Sequence, residues 1–283
     1  MKIIADSINK ITGIRLTTFL IEIPTCLLAE LRTHRLLRWS DTDFSINANS
    51  DRAIPINKKI ELVKEKPYIP IVTLKNKGMS GIEENIDKNI IDEANQLYKK
   101  AMLYNMNIVK KLEKLGIHKQ YSNRLLMPFS YSNVIITGDE LTFKHFFKLR
   151  TDKSAEPNIR KIAIEMQELY NKNLYNHKIN ILDINEWHIA FDNDIDKSIQ
   201  GLDRLLVSAS LCAKISYNTQ DNTDTIEKHL ERAKMCYNNG HYSIFEHQAR
   251  IMTNTELCED WCKSNVKNWI FFRKLLEVGE LRL

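Results

Sequence analysis

The fold is set by residues 14–37, Ile-Arg-Leu-Thr-Thr-Phe-Leu-Ile-Glu-Ile-Pro-Thr-Cys-Leu-Leu-Ala-Glu-Leu-Arg-Thr-His-Arg-Leu-Leu. This stretch begins with the residue pattern of a strand and ends with that of a helix. Residues 14–23 are dense in β-branched and aromatic side chains and stop at Pro24, which predicts a β-strand. Residues 27–37 predict a helix directly after it. From Ser40 to Pro55 the chain is rich in Asp, Ser and Asn, so we expect a loop with short turns, and loops often carry functional sites.

Long helices dominate the chain beyond this stretch. Apolar residues recur at helical spacing from Ile91 to Leu115, and Gly116 is a natural stop. Three more helices are predicted, at Pro157–Asn173, Gln200–Ala213 and Thr225–Asn238. Since strands are few, the pattern predicts an α+β fold. No Gly/Ser-rich linker divides the chain, so we predict one domain, 1–283, with its weakest boundary in the polar stretch Asn218–Thr225.

Composition excludes several classes of protein. The 283 residues are 43% hydrophobic, which is enough for a buried core. No apolar run of about 18 residues could span a bilayer and no secretory signal is recognisable, so we expect a cytoplasmic protein. The net charge of +5 favours anionic ligands but is too small for a dedicated nucleic-acid binder. Five scattered cysteines predict reduced thiols, with Cys258 and Cys262 as ordinary helix residues rather than a metal pair.

The chain contains no glycine-rich phosphate-binding motif. Neither G-x-G-x-x-G nor G-x-x-x-x-G-K-[ST] occurs, so arginines would have to neutralise the phosphates of any nucleotide cofactor. His34 and Arg35, near the end of a predicted helix, could present a donor and a cation to a pyrophosphate. The alternative is a solvated helix end whose basic groups offset the helix dipole, and spacing alone favours that alternative.

Two segments in this region resemble a known family. The first is residues 33–35, Thr-His-Arg, and the second is residues 45–55, Ser-Ile-Asn-Ala-Asn-Ser-Asp-Arg-Ala-Ile-Pro. They are similar, respectively, to the Arg-His-Arg and Ser-x-Asn-x-x-Ser-x-Arg sequences of the flavin-dependent thymidylate synthases (ThyX), in their phage-type form. The resemblance implies that this region contacts both ligands, FAD through His34 and Arg35 and the phosphate and sugar of dUMP through Ser50 and Arg52.

Two later segments extend the resemblance. Residues 146–157 match the family's Phe-x-x-Leu-Arg-x-Asp run, which implies that Arg150 contacts the uracil ring. An arginine there can stabilise negative charge on a pyrimidine carbonyl as C5 becomes nucleophilic. Residues 240–247, Gly-His-Tyr-Ser-Ile-Phe-Glu-His, resemble Gly-His-x-[Ser/Thr]-Pro-Phe-Glu-His. This implies that His241 lies by the flavin and the folate, and that FAD is contacted by Ser243 and Glu246. Taken alone, the segment would be a structural cap with a buried histidine, and a metal pair is a weaker interpretation still.

A weaker match and four departures complete the comparison with the family pattern. Residues 123–129 resemble the Ala-Arg-x-x-Leu-Pro segment, which implies that Arg124 reaches dUMP from a neighbouring subunit; alone it would be a surface arginine. The departures are the nine-residue spacer 36–44, Ser154 for a flavin-contacting histidine, Asn158 for a glutamate and Ile244 for proline.

The resemblance covers residues 14–251 and has consequences for chain order and assembly. It implies a ThyX-like α+β fold with long helices and a small, mostly antiparallel sheet, in a homotetramer with shared sites. In most members the Gly-His…Glu-His stretch comes first, whereas here it comes last, which implies a circular permutation with its seam near 176–205. The implied reaction converts dUMP to dTMP, with methylenetetrahydrofolate as carbon donor, reduced FAD as hydride source and NADPH as the reductant of the flavin.

Two alternatives remain at this point. A related flavoenzyme could leave a hydroxymethyl or other group on dUMP or dCMP, which the long spacer and the changes at Ser154 and Asn158 would favour. A non-catalytic protein could instead use the same arginines to bind nucleic-acid phosphates. His188, in the sequence Glu-Trp-His, is predicted to be packed rather than catalytic.

Overall fold

The computed structural model describes residues 1–34, 44–50, 53–77, 81, 83, 85–176, 179–217, 224–262, 266 and 268–283. The strands in these residues are β1 Lys2–Asn9, β2 Arg15–Pro24, β3 Ser45–Ala48, β4 Tyr131–Asp139, β5 Asn180–Leu182, β6 Trp187–Ile189, β7 Gln248–Ile251 and β8 Trp269–Phe271. The α-helices are α1 Leu28–Arg32, α2 Ile56–Glu65, α3 Lys88–Lys114, α4 Lys119–Ser122, α5 Glu140–Arg150, α6 Pro157–Tyr175, α7 Gly201–Tyr217, α8 Ile226–Asn238, α9 Asn254–Cys258 and α10 Phe272–Glu277. Short 3-10 helices lie at Thr25–Leu27, Asn123–Phe129, Asp192–Asp194, Tyr242–Phe245 and Asp260–Cys262.

Two small sheets organise the chain, which confirms the α+β class. The larger has the order β3-β4-β2-β1-β5 and is antiparallel except for the β1–β5 pair. The smaller, β6-β7-β8, is antiparallel throughout. Phe19 and Ile136 lie in one core with the apolar faces of α5 and α6, whereas Ile135 lies in a second core with α7, α8 and α10. The central strands are therefore buried on both faces.

The strand prediction is confirmed, and two neighbouring predictions are wrong at the residues that the structure describes; their positions 35–37, 40–43, 51 and 52 lie outside the described residues. Helix α1 ends at Arg32 instead of continuing, because Thr33 donates its hydroxyl to the Glu30 carbonyl at 2.7 Å and the backbone N–H of His34 reaches only to Leu31. The predicted loop Ser40–Pro55 contains β3, which pairs with β4 and in which Ser45, Ile46 and Asn47 are buried and Ala48 is half-buried. Tertiary pairing thus overrides the turn-forming composition.

The predicted long helices are present. Helix α3 begins where the Asp87 side chain accepts from the Asn89 N–H at 2.9 Å, and it ends before Gly116, which adopts a left-handed φ of 75°. Helices α6, α7 and α8 match the other three predictions, with Thr225 as the cap of α8. Within the described part of the chain, no helix combines the length and hydropathy required to cross a membrane.

Candidate functional site

Helices α1 and α5 end close together and bring His34 and Arg150 into contact. Strand β2 leads through a 3-10 turn into α1, and His34 follows two residues after this short helix ends. Strand β4 leads directly into α5, which is capped by the Asp139 carboxylate accepting from the Thr142 N–H at 2.8 Å. Buried phenylalanines of α5 pack against β2, so that α5 folds back over the sheet and ends at Arg150.

The Arg150 guanidinium makes three contacts around the end of α1. Its Nε donates to Nε2 of His34 at 2.8 Å, and Nη2 donates to Oγ1 of Thr33 at 3.2 Å. Its Nη1 lies 3.8 Å from Oε2 of Glu30, and the Arg150 side chain is 21% exposed. Because a guanidinium nitrogen only donates, Nε2 of His34 must accept, which places the imidazole proton on Nδ1.

The His34 ring is neutral at physiological pH. Burial lowers the pKa of His34 to about 4, and the charges of Arg150 and His145 act in the same direction. On the other side of Arg150, burial and the charge of Glu156 raise the pKa of Glu30, while Arg150 opposes them. The contact therefore joins a neutral imidazole, a cation and a partly buried carboxyl group.

Aromatic rings enclose the His34 imidazole. The Phe146 ring meets it edge-on with centroids 5.0 Å apart, and the Phe44 centroid lies at 6.5 Å. The Phe44 N–H donates to the His34 carbonyl at 2.9 Å. This hydrogen bond holds together the two residues on either side of the stretch 35–43. Residues 35–43 lie outside the described residues. A Cβ on Gly138 would lie 2.7 Å from the Phe44 ring, so only glycine lets this ring pack against β4.

Strand β3 links this contact to the Gly-His…Glu-His segment. It begins directly after Phe44, and the 3-10 helix Tyr242–Phe245 packs beside β3, α7 and α10. Nδ2 of Asn47 donates to the Cys212 carbonyl at 3.2 Å, which fixes β3 to α7. Ile244, at the family's proline position, is buried in the core beneath this helix. Two motifs that are distant in sequence thus meet along one short strand.

The polar residues of the Gly-His…Glu-His segment differ in exposure. His241 is exposed and Ser243 is half-buried, whereas Glu246 is buried and accepts a hydrogen bond from Nη1 of Arg273. Arg273 belongs to α10 and its side chain is 35% exposed. Sequence reasoning missed Arg273, since it lies in the short helix α10 with no motif around it. Only the three-dimensional proximity to Glu246 identifies it.

The remaining predicted residues are separate from this contact or lie outside the described residues. Arg124 is exposed on its 3-10 helix, with its guanidinium carbon 6.0 Å from the centre of the Tyr121 ring. Ser50 is half-buried just after β3. Arg35 and Arg52 belong to the stretches that the structure does not describe.

The two departures near Arg150 have structural explanations. Oδ1 of Asn158 accepts from the Ile71 N–H at 2.8 Å, and its Nδ2 donates to the Ile71 carbonyl at 3.3 Å. A glutamate could not make the second bond. Ser154 is exposed, and its hydroxyl donates to the Asp152 carboxylate at 2.6 Å. Asn158 therefore fastens a neighbouring segment to α6.

Cysteines and metal ligands contribute nothing recognisable to the site. The structure contains no disulfide among the five cysteines, all of which are described, and Cys258 and Cys262 lie in short helices, as predicted. Among the described residues, no group of three or more His, Cys, Asp and Glu side chains could hold a metal ion.

Comparison with known proteins adds a family and a curated relative. Residues 14–174 match the family model described as "Thymidylate synthase complementing protein". A curated relative, the "Flavin-dependent thymidylate synthase" of Pyrococcus abyssi (strain GE5 / Orsay), is 30% identical over 151 residues, which are 53% of this chain and 53% of the relative. The chain thus spans about half the length of that relative.

Two solved structures are also similar. Both are the UMP/dUMP methylase PolB from Streptomyces cacaoi. The structure bound with 5-Br dUMP has 18% identity and a TM-score of 0.44, covering 56% of this chain and 66% of that one. The structure bound with 5-Br UMP has 19% identity and a TM-score of 0.46, covering 56% and 69%.

Proposed function

Since the chain belongs to the thymidylate synthase complementing protein family, we propose that it is a flavin-dependent thymidylate synthase that converts dUMP to dTMP. The observation that carries the proposal is the hydrogen bond between His34 and Arg150, which are 116 positions apart and belong to two different motifs. A chance match to either motif would give no reason for the two side chains to meet.

The described residues fit a flavin nucleotide. Such a cofactor combines an anionic diphosphate, which needs cations, with a neutral polar ring system, which needs neutral hydrogen-bonding groups. Arg150 is a partly exposed guanidinium beside the neutral His34 ring, and Arg273 is a second one beside Glu246. We assign FAD contacts to His34, Arg35, Ser243 and Glu246.

The protein's own side chains hold and polarise the pyrimidine. Arg150 is assigned to the uracil ring, where its guanidinium stabilises negative charge on a carbonyl oxygen as C5 becomes nucleophilic. His34 orients that guanidinium by accepting from Nε. Nη2 donates one of its two N–H groups to Thr33, so each Nη still has an N–H for a ligand. Ser50 and Arg52 bind the phosphate and sugar of dUMP, and Arg124 contacts the same nucleotide. When bound, reduced FAD supplies the hydride, methylenetetrahydrofolate the carbon, and NADPH regenerates the flavin.

His241 completes the proposed site. It belongs to the Gly-His…Glu-His segment, whose late position means that the order of the motifs is permuted relative to most members of the family. As an exposed residue, His241 is accessible to the flavin and the folate. The Gly-His…Glu-His segment lies at 240–247, beyond the matched residues 14–174, and its 3-10 helix nevertheless packs against β3. We propose a homotetramer in which the exposed Arg124 acts across a subunit boundary.

The changes at Ser154 and Asn158 were one reason to consider a hydroxymethylated product instead of dTMP. The change to Asn158 is explained by its two hydrogen bonds to Ile71, and Ser154 is engaged with Asp152 on the surface. Neither change requires a different substrate. We therefore favour methylation of dUMP over hydroxymethylation.

Purified protein tests this proposal directly. We expect a yellow preparation, or one that becomes yellow with added FAD, which turns over dUMP with methylenetetrahydrofolate and NADPH to a product with the mass of dTMP. The same incubation with dCMP is the matched substrate control. A hydroxymethylated product would contradict the assignment, and colourless protein that cannot take up FAD would favour a non-catalytic binding protein.

A further inference from the structure

Two buried histidines are connected by a chain of hydroxyl groups through the centre of the larger sheet. Nδ1 of His247 lies 2.8 Å from Oγ1 of Thr137, which lies 2.7 Å from Oγ1 of Thr18. The Thr18 oxygen lies 2.8 Å from Nε2 of His188, whose Nδ1 lies 2.9 Å from Oγ of Ser7. This hydroxyl relay joins the last residue of the Gly-His…Glu-His segment to strands β4, β2, β6 and β1.

Water does not compete for these groups. All five side chains of the relay are buried, with at most 2% of any residue exposed. Burial lowers the pKa of both His188 and His247 to about 3, so both rings are neutral at physiological pH. Each ring then carries one proton, on either Nδ1 or Nε2.

The number of available protons couples the two rings. Three contacts join the rings through the two threonine hydroxyls, and each hydroxyl has one proton to donate. Neither Thr18 nor Thr137 has another acceptor among the described residues, so the third proton must come from a ring. Donation from His247 requires Nδ1–H there, and His188 then accepts at Nε2 and also carries its proton on Nδ1. Donation from His188 requires Nε2–H on both rings, so the two tautomers must match.

The unpaired nitrogen of His247 decides between the two states. Its Nε2 is fully buried and has no hydrogen-bond partner in the described part of the chain. A buried N–H without an acceptor is rarer than a lone pair without a donor, which favours Nδ1–H. We propose that His247 is a positioning residue of the candidate site, held as the Nδ1–H tautomer by the hydroxyl relay that leads through His188 to Ser7.

The consequence for the site rests on the proposed function. His247 directly follows Glu246, which is assigned to FAD, and the relay fixes this end of the segment to Thr137 of β4. With Nδ1 engaged, Nε2 remains an acceptor next in sequence to that contact. Loss of the relay should therefore weaken flavin binding without removing any residue assigned to FAD.

Tautomers can be measured without a cofactor or a variant. Magic-angle-spinning NMR of uniformly ¹³C,¹⁵N-labelled protein distinguishes protonated from unprotonated ring nitrogens, and sequential backbone correlations assign each histidine. We expect Nδ1–H on both His188 and His247 at neutral pH. Different tautomers on the two rings, Nε2–H on both, or a doubly protonated ring would overturn the proposal.

Variants of buried threonines test the positioning role. Thr137→Val keeps the shape but removes the middle hydroxyl, so FAD affinity should fall about tenfold, the loss expected for one buried hydrogen bond. Thr137→Ser should restore it. The matched control is Thr142→Val, because Thr142 is buried in α5 and its hydroxyl has no partner among the described residues. Wild-type affinity in Thr137→Val would contradict the positioning role, and if that variant does not fold, the wild-type tautomers decide.

The two proposals fail in different ways. If wild-type protein binds no FAD but shows matched Nδ1–H tautomers, the proposed flavin site fails, and with it the positioning role of His247 there. The hydroxyl relay itself still stands. If wild-type protein binds FAD and makes dTMP but the tautomers differ, the relay fails and the proposed function stands.

Discussion

Replacement of His34 by Gln isolates the charge state of the contact on which the proposed site depends. Nε2 of His34 accepts from Nε of Arg150 at 2.8 Å, and the pKa of the ring is lowered to about 4. A protonated ring could not accept this bond and would place a second cation beside the guanidinium. The glutamine oxygen can still accept from Arg150 but does not titrate. The variant thus retains an acceptor and removes the pH dependence.

The magnitude follows from the difference in pKa between the two states of the chain. An unperturbed histidine has a pKa of about 6.5. The stability due to neutral His34 is complete above pH ~6.5 and is lost as the pH falls towards ~4, because the unfolded chain then binds a proton that the folded chain does not. Between pH 7 and pH 5, His34 alone should lower the free energy of unfolding by about 2 kcal/mol.

Urea unfolding at the two pH values measures this term at one fixed protein concentration. The loss of unfolding free energy between pH 7 and pH 5 should be about 2 kcal/mol smaller in His34→Gln than in wild type. Thr33→Val is the control, since it removes another partner of Arg150 and retains the titrating ring. Equal losses in wild type and His34→Gln would refute the buried, neutral imidazole as the partner of Arg150.

Three further changes test other parts of the structure. Arg150→Ala should lower turnover of dUMP at least ~100-fold while the flavin absorbance of the purified protein is retained, because the lost group acts on the pyrimidine; near-wild-type turnover would remove Arg150 from this role. Asn158→Asp should lower the free energy of unfolding by about 1–2 kcal/mol in urea titrations, since the Ile71 carbonyl loses its donor, and an unchanged midpoint would count against that bond. Gly138→Ala should lower the free energy of unfolding by about 1–3 kcal/mol, because the new Cβ would lie 2.7 Å from the Phe44 ring. Thermal unfolding at the wild-type temperature would show instead that the ring can move aside.

Local sequence signals predicted the elements that local chemistry determines. Strand β2 has β-branched residues up to a proline, and α3 has helical periodicity with a glycine beyond its end, so both were predictable. Strand β3 was not, because Ser45 and Asn47 are turn-forming by composition. They are buried only because β4 supplies backbone partners and α7 an acceptor for Asn47.

The site was predictable to the extent that motifs mark it. The motifs identified Arg150 and His34, but their hydrogen bond depends on α5 folding back over the sheet, which no local pattern encodes. The pairing of Arg273 with Glu246 and the hydroxyl relay through Thr137 have no sequence signature at all. Each arises where elements from different parts of the chain pack together.

A crystal structure of the protein with FAD and dUMP tests the central claim most directly, namely that distant segments of the chain form one site. We expect Arg150 at the uracil ring, and the His34 and Glu246 regions at the same flavin, counting residues from neighbouring subunits. Ligands bound away from these residues, or His34, Arg150 and Glu246 on unrelated surfaces of the assembly, would contradict it.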